Sequence, residues 1–267
     1  MARVYHLDLD KKAIKGAKIA LLPGDPKRSA VIAGAISKAY GARFAMIASK
    51  REFTTCLTEA MGQKVLVAST GIGGPSASIA VDELAQLGVT TFLRVGTTGA
   101  IQNGVKNGDC VITTGSVRLD GASTHYAPIE FPAVADFSVV ASLISGARKA
   151  GVRFHLGITA SSDTFYPGEE RTDAFMKYKL RRFRGATAEW RALHVLNYEM
   201  ESSTILTMTS AMGLRGGCIT GVVNKGSTGK ITPEALRIGE DSAVRAAVAA
   251  LEFLKFPPFL KGDEGGL

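Results

Sequence analysis

Cysteine is scarce in this chain, and the three that occur, Cys56, Cys110 and Cys218, are far apart. An odd number without Cys-x-x-Cys spacing excludes a disulfide framework and a cysteine-built zinc site, and it points to a reducing compartment, the cytoplasm. Histidine is equally sparse. His6, His125, His155 and His194 never fall at ligand spacing, so no protein-built transition-metal centre is expected. Long apolar runs are missing as well. The first, Ile19 to Leu22, stops at Pro23-Gly24-Asp25-Pro26, far short of the roughly 20 residues a membrane helix needs, so neither a signal peptide nor a membrane partner is expected. Proline is infrequent, nine in 267 residues, and 46% of the chain is hydrophobic, which suits one compact domain with a sizeable core, two small domains being the alternative.

Acidic residues are outnumbered, giving a formal net charge of +8. Such an excess raises the question of a nucleic-acid partner. The densest basic cluster, Lys177 to Arg184, alternates with apolar residues and reads as a half-buried, solvated element. Isolated arginines elsewhere suit small anionic substrates, so no nucleic-acid partner is expected.

What the chain does have is glycine at the ends of buried strands. Thr90 to Val95 reads as a strand that ends in Gly96-Thr97-Thr98-Gly99, with Arg94 just inside it. There the glycines let backbone N–H groups approach an oxyanion, the hydroxyls add donors, and Arg94 supplies a charged fork. The same grammar recurs where Ile19 to Leu22 leads through Gly24 to Arg28 at a helix start, although Gly-Asp-Pro is also a plain way to begin a helix. A third strand, Val65 to Ser69, precedes Thr70-Gly71-Ile72-Gly73-Gly74-Pro75-Ser76 and a helix over 76–87, with Ser76 or Ser78 as caps. Those glycines do not fit Gly-x-Gly-x-x-Gly, and no acidic residue ends a following strand, which excludes a dinucleotide site. Ser49-Lys50-Arg51-Glu52-Phe53 is a charged knot at a strand start or loop, readable as a surface ion pair. Residues 118–136 read as irregular.

Strands over 109–114, 156–161 and 217–223, and helices over 139–150 and 233–253, complete an alternation of at least five strands with helices. This is an α/β layout with its ligand at the carboxyl ends of the strands. The loop from Asp163 to Arg171 sets aromatic faces beside two carboxylates and an arginine, so a planar heterocycle can stack on Phe165. Asn197-Tyr198-Glu199-Met200-Glu201-Ser202 places paired carboxylates at a helix start, as caps or as partners for vicinal sugar hydroxyls.

Pro23-Gly-Asp-Pro, Ser49-Lys-Arg-Glu-Phe, Thr70-Gly-Ile-Gly-Gly-Pro-Ser, Arg94-Val-Gly-Thr-Thr-Gly-Ala, Asp120-Gly-Ala-Ser, Ser162-Asp-Thr-Phe-Tyr-Pro-Gly and Asn197-Tyr-Glu-Met-Glu-Ser occur here in one order. Together, over about residues 5–253, they closely resemble the nucleoside phosphorylase family in its uridine-cleaving branch. The resemblance implies a three-layer α/β/α single domain around a mixed, partly barrel-like sheet, spanning 1–255, with a flexible tail over 256–267. It also implies a ring-shaped homohexamer built from dimers that share active sites. The implied reaction is reversible phosphorolysis, uridine plus phosphate giving uracil and ribose 1-phosphate, with inorganic phosphate as co-substrate and no organic cofactor.

By that pattern phosphate is held by Gly24, Arg28, Arg94 and Thr97, with Arg51 reaching in from the neighbouring subunit. Met200 and Glu201 meet the ribose hydroxyls, and His6 of the neighbour meets the 5′-hydroxyl. Phe165 flanks the nucleoside; Gly99, position 169 and Arg171 face the base. Arg94, Arg171 and Glu201 carry the catalytic weight. A potassium ion at the dimer interface uses Glu52, Ile72 and Ser76.

Two departures fall in the base half. Position 169 is Glu where the family has glutamine, and after the last strand the family's Asn-Arg is Asn224-Lys225, with a one-residue shift before it. Arginine-to-lysine at a fork site is not conservative. An altered-specificity or non-catalytic nucleoside-binding paralogue is therefore the alternative. A hydrolase-like relative is disfavoured by the full phosphate set. The absence of an aspartate in Val222-Val-Asn-Lys-Gly, where purine-cleaving relatives place one, favours a pyrimidine.

Overall fold

The computed structural model describes residues 3–226 and 229–254. In chain order they form β1 (Ile19–Leu22), α1 (Pro26–Tyr40), β2 (Ala45–Lys50), β3 (Phe53–Ala60), β4 (Gln63–Ala68), α2 (Gly74–Leu87), β5 (Thr91–Ala100) and β6 (Cys110–Leu119). There follow β7 (Ala133–Val134), α3 (Phe137–Lys149), β8 (Phe154–Ser162), α4 (Ala186–Ala192), β9 (Asn197–Glu199), α5 (Ser202–Ala211), β10 (Arg215–Asn224) and α6 (Pro233–Ala250).

β5 is the hub of a single mixed sheet. Its first half pairs in parallel with β1, setting Arg94 opposite Leu22, and along its length it pairs in parallel with β10. Its far end pairs antiparallel with β9 through Gly99 and Tyr198. Because β10 continues through β6, β8 and β9 back to β5, these five strands close on themselves, while β1, β4, β3 and β2 extend outward from β5. The mixed, partly barrel-like sheet of the sequence reading is what is found.

The strand residues explain the three layers. Leu21, Leu93 and Val95 pack with Ile32 and Ile36 of α1, Leu143 of α3 and Ala247 of α6. Ala20, Leu22 and Phe92 face the other way, onto Leu84 of α2 and Ile205 and Met208 of α5. Successive side chains alternate between two apolar layers, so the central strands are buried on both faces.

Several local expectations are corrected. Gly96 to Gly99 is not a turn: the strand continues to Ala100. A Cβ at Gly96 would lie 2.8 Å from Arg94 Nη2, and one at Gly99 would lie 2.7 Å from Asn224 Oδ1 and 3.1 Å from Gly226 Cα. These glycines make room for close neighbours inside a barrel wall. Neither Ser76 nor Ser78 caps α2; the cap position is Gly73 at φ +90°, without a side-chain bond. Residues 118–136 are more regular than expected, since β6 runs to Leu119 and β7 pairs with it. The Lys177 to Arg184 cluster is exposed apart from Lys179 and Phe183, so its apolar members do not half-bury it. The tail over 256–267 lies outside the described residues. Among those described, no helix is long and apolar enough to cross a membrane, and all three cysteines are free and buried.

Candidate active site

A cavity of about 630 Å³ opens at the carboxyl ends of β1 and β10, with the second half of β5 as its floor. Gly24 comes from the β1–α1 connection and Arg28 from the first turn of α1. Arg28 is held there because Asp25 caps α1, its carboxylate accepting from the Lys27 amide at 2.9 Å. Thr97, Thr98 and Gly99 line the floor, and Phe165, Glu169, Met200 and Glu201 line the walls.

Arg94 is the centre of charge. It is 5% exposed, and its Nε donates to Glu199 Oε2 at 2.7 Å while Nη2 pairs with Glu201 Oε2. Glu199 also accepts from the amides of Glu201 and Ser202, at 3.0 and 2.9 Å, which caps α5. Glu201 in turn accepts from the Gly73 amide at 2.6 Å. The α2 start is thus fastened to the α5 start through one carboxylate. Burial alone would lower the Arg94 pKa, but Glu201 and Glu199 outweigh it and hold the guanidinium charged. Burial raises the Glu201 pKa, with Arg94 opposing and Glu199 adding to the rise.

Arg28 is a cation short of partners. Its Nε, 3.3 Å from Glu240 of α6, is buried without a hydrogen bond. Burial draws its pKa below the ordinary value and Glu240 only partly offsets this; Arg94 pushes the same way as burial. Two neighbouring guanidinium groups facing one cavity favour an anion between them.

At the other end of the floor the polypeptide is drawn together by Arg171. Its Nε and Nη2 fork onto Asp173 at 2.8 and 2.9 Å, and Nη1 donates to the Gly226 carbonyl at 3.3 Å. The guanidinium lies 4.4 Å from the Phe165 ring centroid and does not itself line the cavity. Glu169 does line it, at 4% exposure, and has no hydrogen-bond partner among the described residues. Burial pushes its carboxyl up to about 8; Arg171 pulls it down, and Glu199 and Glu201 raise it further. A β-bulge after Val222 brings Asn224 to the floor opposite Gly99, where the sequence shows its one-residue shift. Lys225 turns away, its Nζ donating to the Val105 carbonyl at 2.6 Å.

Four candidates stand apart from the cavity lining: Arg171, His6, Arg51 and Ser76. His6 and Arg51 lie on neighbouring segments, since Lys50 Nζ donates to the Tyr5 carbonyl at 2.5 Å and sits over the Tyr5 ring. Ser76 Oγ donates to Glu52 Oε1 at 3.1 Å, and Glu52 and Ile72 reach the cavity rim. Tyr198 and Asn224 line the site without having been given a role there; Glu199, one of the paired carboxylates offered as caps or sugar partners, also lines it and accepts from the Ser202 amide as a cap does.

A sequence model of the Phosphorylase superfamily matches residues 18–255. The chain belongs to this superfamily. The uridine phosphorylase of Salmonella typhimurium (strain LT2) is 51% identical over 248 residues, 92% of this chain and 96% of the relative. That of Escherichia coli (strain K12) is equally similar over the same shares. That of Haemophilus influenzae is 48% identical over 255 residues, 95% of this chain and 99% of the relative. Within this phosphorylase chain the superfamily match begins after His6, so the match leaves that residue's role to be argued from geometry.

Proposed function

We propose that this phosphorylase cleaves uridine reversibly with inorganic phosphate, giving uracil and ribose 1-phosphate. The observation that carries the reading is buried Arg94, which joins the anion end of the cavity to Glu201. Gly24, Arg28, Arg94 and Thr97 hold phosphate, and Met200 and Glu201 take the ribose hydroxyls. The C1′–N1 bond breaks with its electron pair passing to uracil, and a phosphate oxygen forms the new bond at C1′. The developing oxocarbenium lies between phosphate and Glu201, two anionic groups already fixed in place.

The base half works with a neutral Glu169. A carboxyl group carries one O–H donor and one carbonyl acceptor, the same pair an amide offers. It accepts from uracil N3–H and donates to O2, whereas a carboxylate would repel the forming uracil anion. Arg171, held beside Phe165, exchanges its exposed partner Asp173 for the charge developing on the base.

His6 and Arg51 act in the cavity of a second copy. What supports this is that neither lines its own cavity, while the two are brought together on one surface where Lys50, next to Arg51, bonds to Tyr5, next to His6. The assembly is a homohexamer of such dimers, in the cytoplasm, where buried free thiols persist. Glu52, Ser76 and the Ile72 carbonyl offer one carboxylate among neutral oxygens, a donor set for a hard monovalent cation such as potassium. These residues would hold such an ion at the dimer interface, where it would supply a fixed positive charge.

The test follows the fall in uridine absorbance with and without phosphate. Loss that requires phosphate and yields ribose 1-phosphate is expected. Loss without phosphate would make the protein a hydrolase, and no loss with any pyrimidine nucleoside would overturn the reading.

A further inference from the structure

The N-terminal segment is fastened by a buried carboxylate that the reaction above does not use. Glu83, in α2, is 8% exposed. Its oxygens accept from the His6 amide at 2.9 and 3.1 Å, the Leu7 amide at 2.8 Å and the His6 ring at Nδ1, 2.7 Å away. Burial works against its charge, but the two amides and the ring outweigh it and hold the group below the ordinary carboxylate range.

An ionised carboxylate can only accept. The proton on the His6–Glu83 contact therefore belongs to Nδ1, and in its neutral form the ring presents Nε2 as a lone pair. The ring plane is set as well, edge-on to Tyr5 with centroids 4.9 Å apart and to Phe53 at 6.3 Å. Among the described residues no hydrogen bond reaches Nε2, and the side chain is 30% exposed. Anchoring the backbone needs only the two amides; the bond to the ring additionally fixes a tautomer and an orientation at an open surface.

We propose that Glu83 is a positioning residue that holds His6 as its Nδ1–H tautomer, so that Nε2 accepts the hydrogen of the ribose 5′-hydroxyl and makes the enzyme discriminate against nucleosides lacking it. The inference rests on the reading that His6 completes a neighbouring protomer's cavity, and the experiment separates the two. It compares kcat/KM for uridine and 5′-deoxyuridine in the native oligomer, in Glu83→Gln and in His6→Ala, alongside histidine side-chain 15N spectra.

The native enzyme is expected to favour uridine by about tenfold, the worth of one hydrogen bond, with the His6 resonance, identified by its loss in His6→Ala, protonated at Nδ1. In Glu83→Gln the amide N–H₂ faces Nδ1, the proton moves to Nε2, and the preference falls toward that of His6→Ala through a higher KM for uridine rather than a lower kcat. If Glu83→Gln keeps the native preference while His6→Ala loses it, Glu83 is an anchor only and the proposal is overturned. If His6→Ala keeps the preference, the neighbour-site reading fails instead, taking the proposal with it. A native His6 protonated at Nε2 overturns the proposal without any variant, so it stays open to refutation even if Glu83→Gln does not fold.

Discussion

Burial decides what Glu169 is at neutral pH. With its carboxyl at about 8 against an ordinary 4.5, the folded protein holds a proton between those values that the unfolded chain has released. The stability conferred by the neutral group is therefore complete below about 4.5 and is lost as pH rises toward 8, by roughly a few kcal/mol. Glu169→Gln removes that slope, so in thermal unfolding the variant should match the parent in acid and exceed it above pH 8. Activity should follow the same sign. Phosphorolysis by the parent falls as pH rises through about 8, and Glu169→Gln retains activity where the parent has lost it; parallel pH profiles would refute the donor role. Arg94 poses the opposite problem, a cation shared by two buried carboxylates. Arg94→Ala leaves both carboxylates uncompensated, at a cost of roughly 3–5 kcal/mol in denaturant unfolding. It also removes the proposed phosphate contact, for which kcat/KM should drop at least about a hundredfold.

At the scale of elements, α6 closes one layer because β10 carries no side chain where the helix crosses it. A Cβ at Gly221 would stand 1.8 Å from the Gly239 carbonyl oxygen. Gly221→Ala must push α6 off the sheet, and with it Glu240, the partner of Arg28. Denaturant unfolding should show a loss of at least roughly 1–3 kcal/mol, and the KM for phosphate should rise before that for uridine. A variant as stable as the parent would show that helix and strand are not locked together. The same closeness explains what was legible beforehand. Continuous apolar runs such as Ile19 to Leu22 and Val65 to Ala68 announced central strands, because a strand buried on both faces has no polar alternation to confuse it. Gly96 to Gly99 misled, because a glycine needed for close approach reads like one needed for a turn, and its neighbours Asn224 and Gly226 are remote in sequence. The eleven candidates that line or rim the cavity could be named from the motifs that follow the strands and from the resemblance those motifs carry. The fork of Arg171 onto Asp173, the bond between Glu83 and His6 and the pairing of Glu199 with Arg94 are set by packing that no local pattern encodes.

The whole molecule poses the question of where one site ends. Arg94 lies on the floor of its own cavity, whereas Arg51, in the β2–β3 turn at φ +55°, lies outside it. If Arg51 serves a neighbour, each working site needs Arg94 from one copy and Arg51 from another. Arg51→Ala and Arg94→Ala should then each be inactive alone. Unfolded together and refolded as a mixture, they should regain activity, because a mixed pair contains one cavity with both arginines intact and one with neither. A two-fold interface is self-complementary, so random pairing gives mixed dimers in half the cases, each with one good site of two, or roughly a quarter of native turnover. Charge steering or simple stabilisation by the partner could not produce this; it needs each variant to supply the very arginine that the other lacks. Mixtures that stay inactive, although native protein refolded in the same way recovers, would place the complete phosphate site within a single protomer.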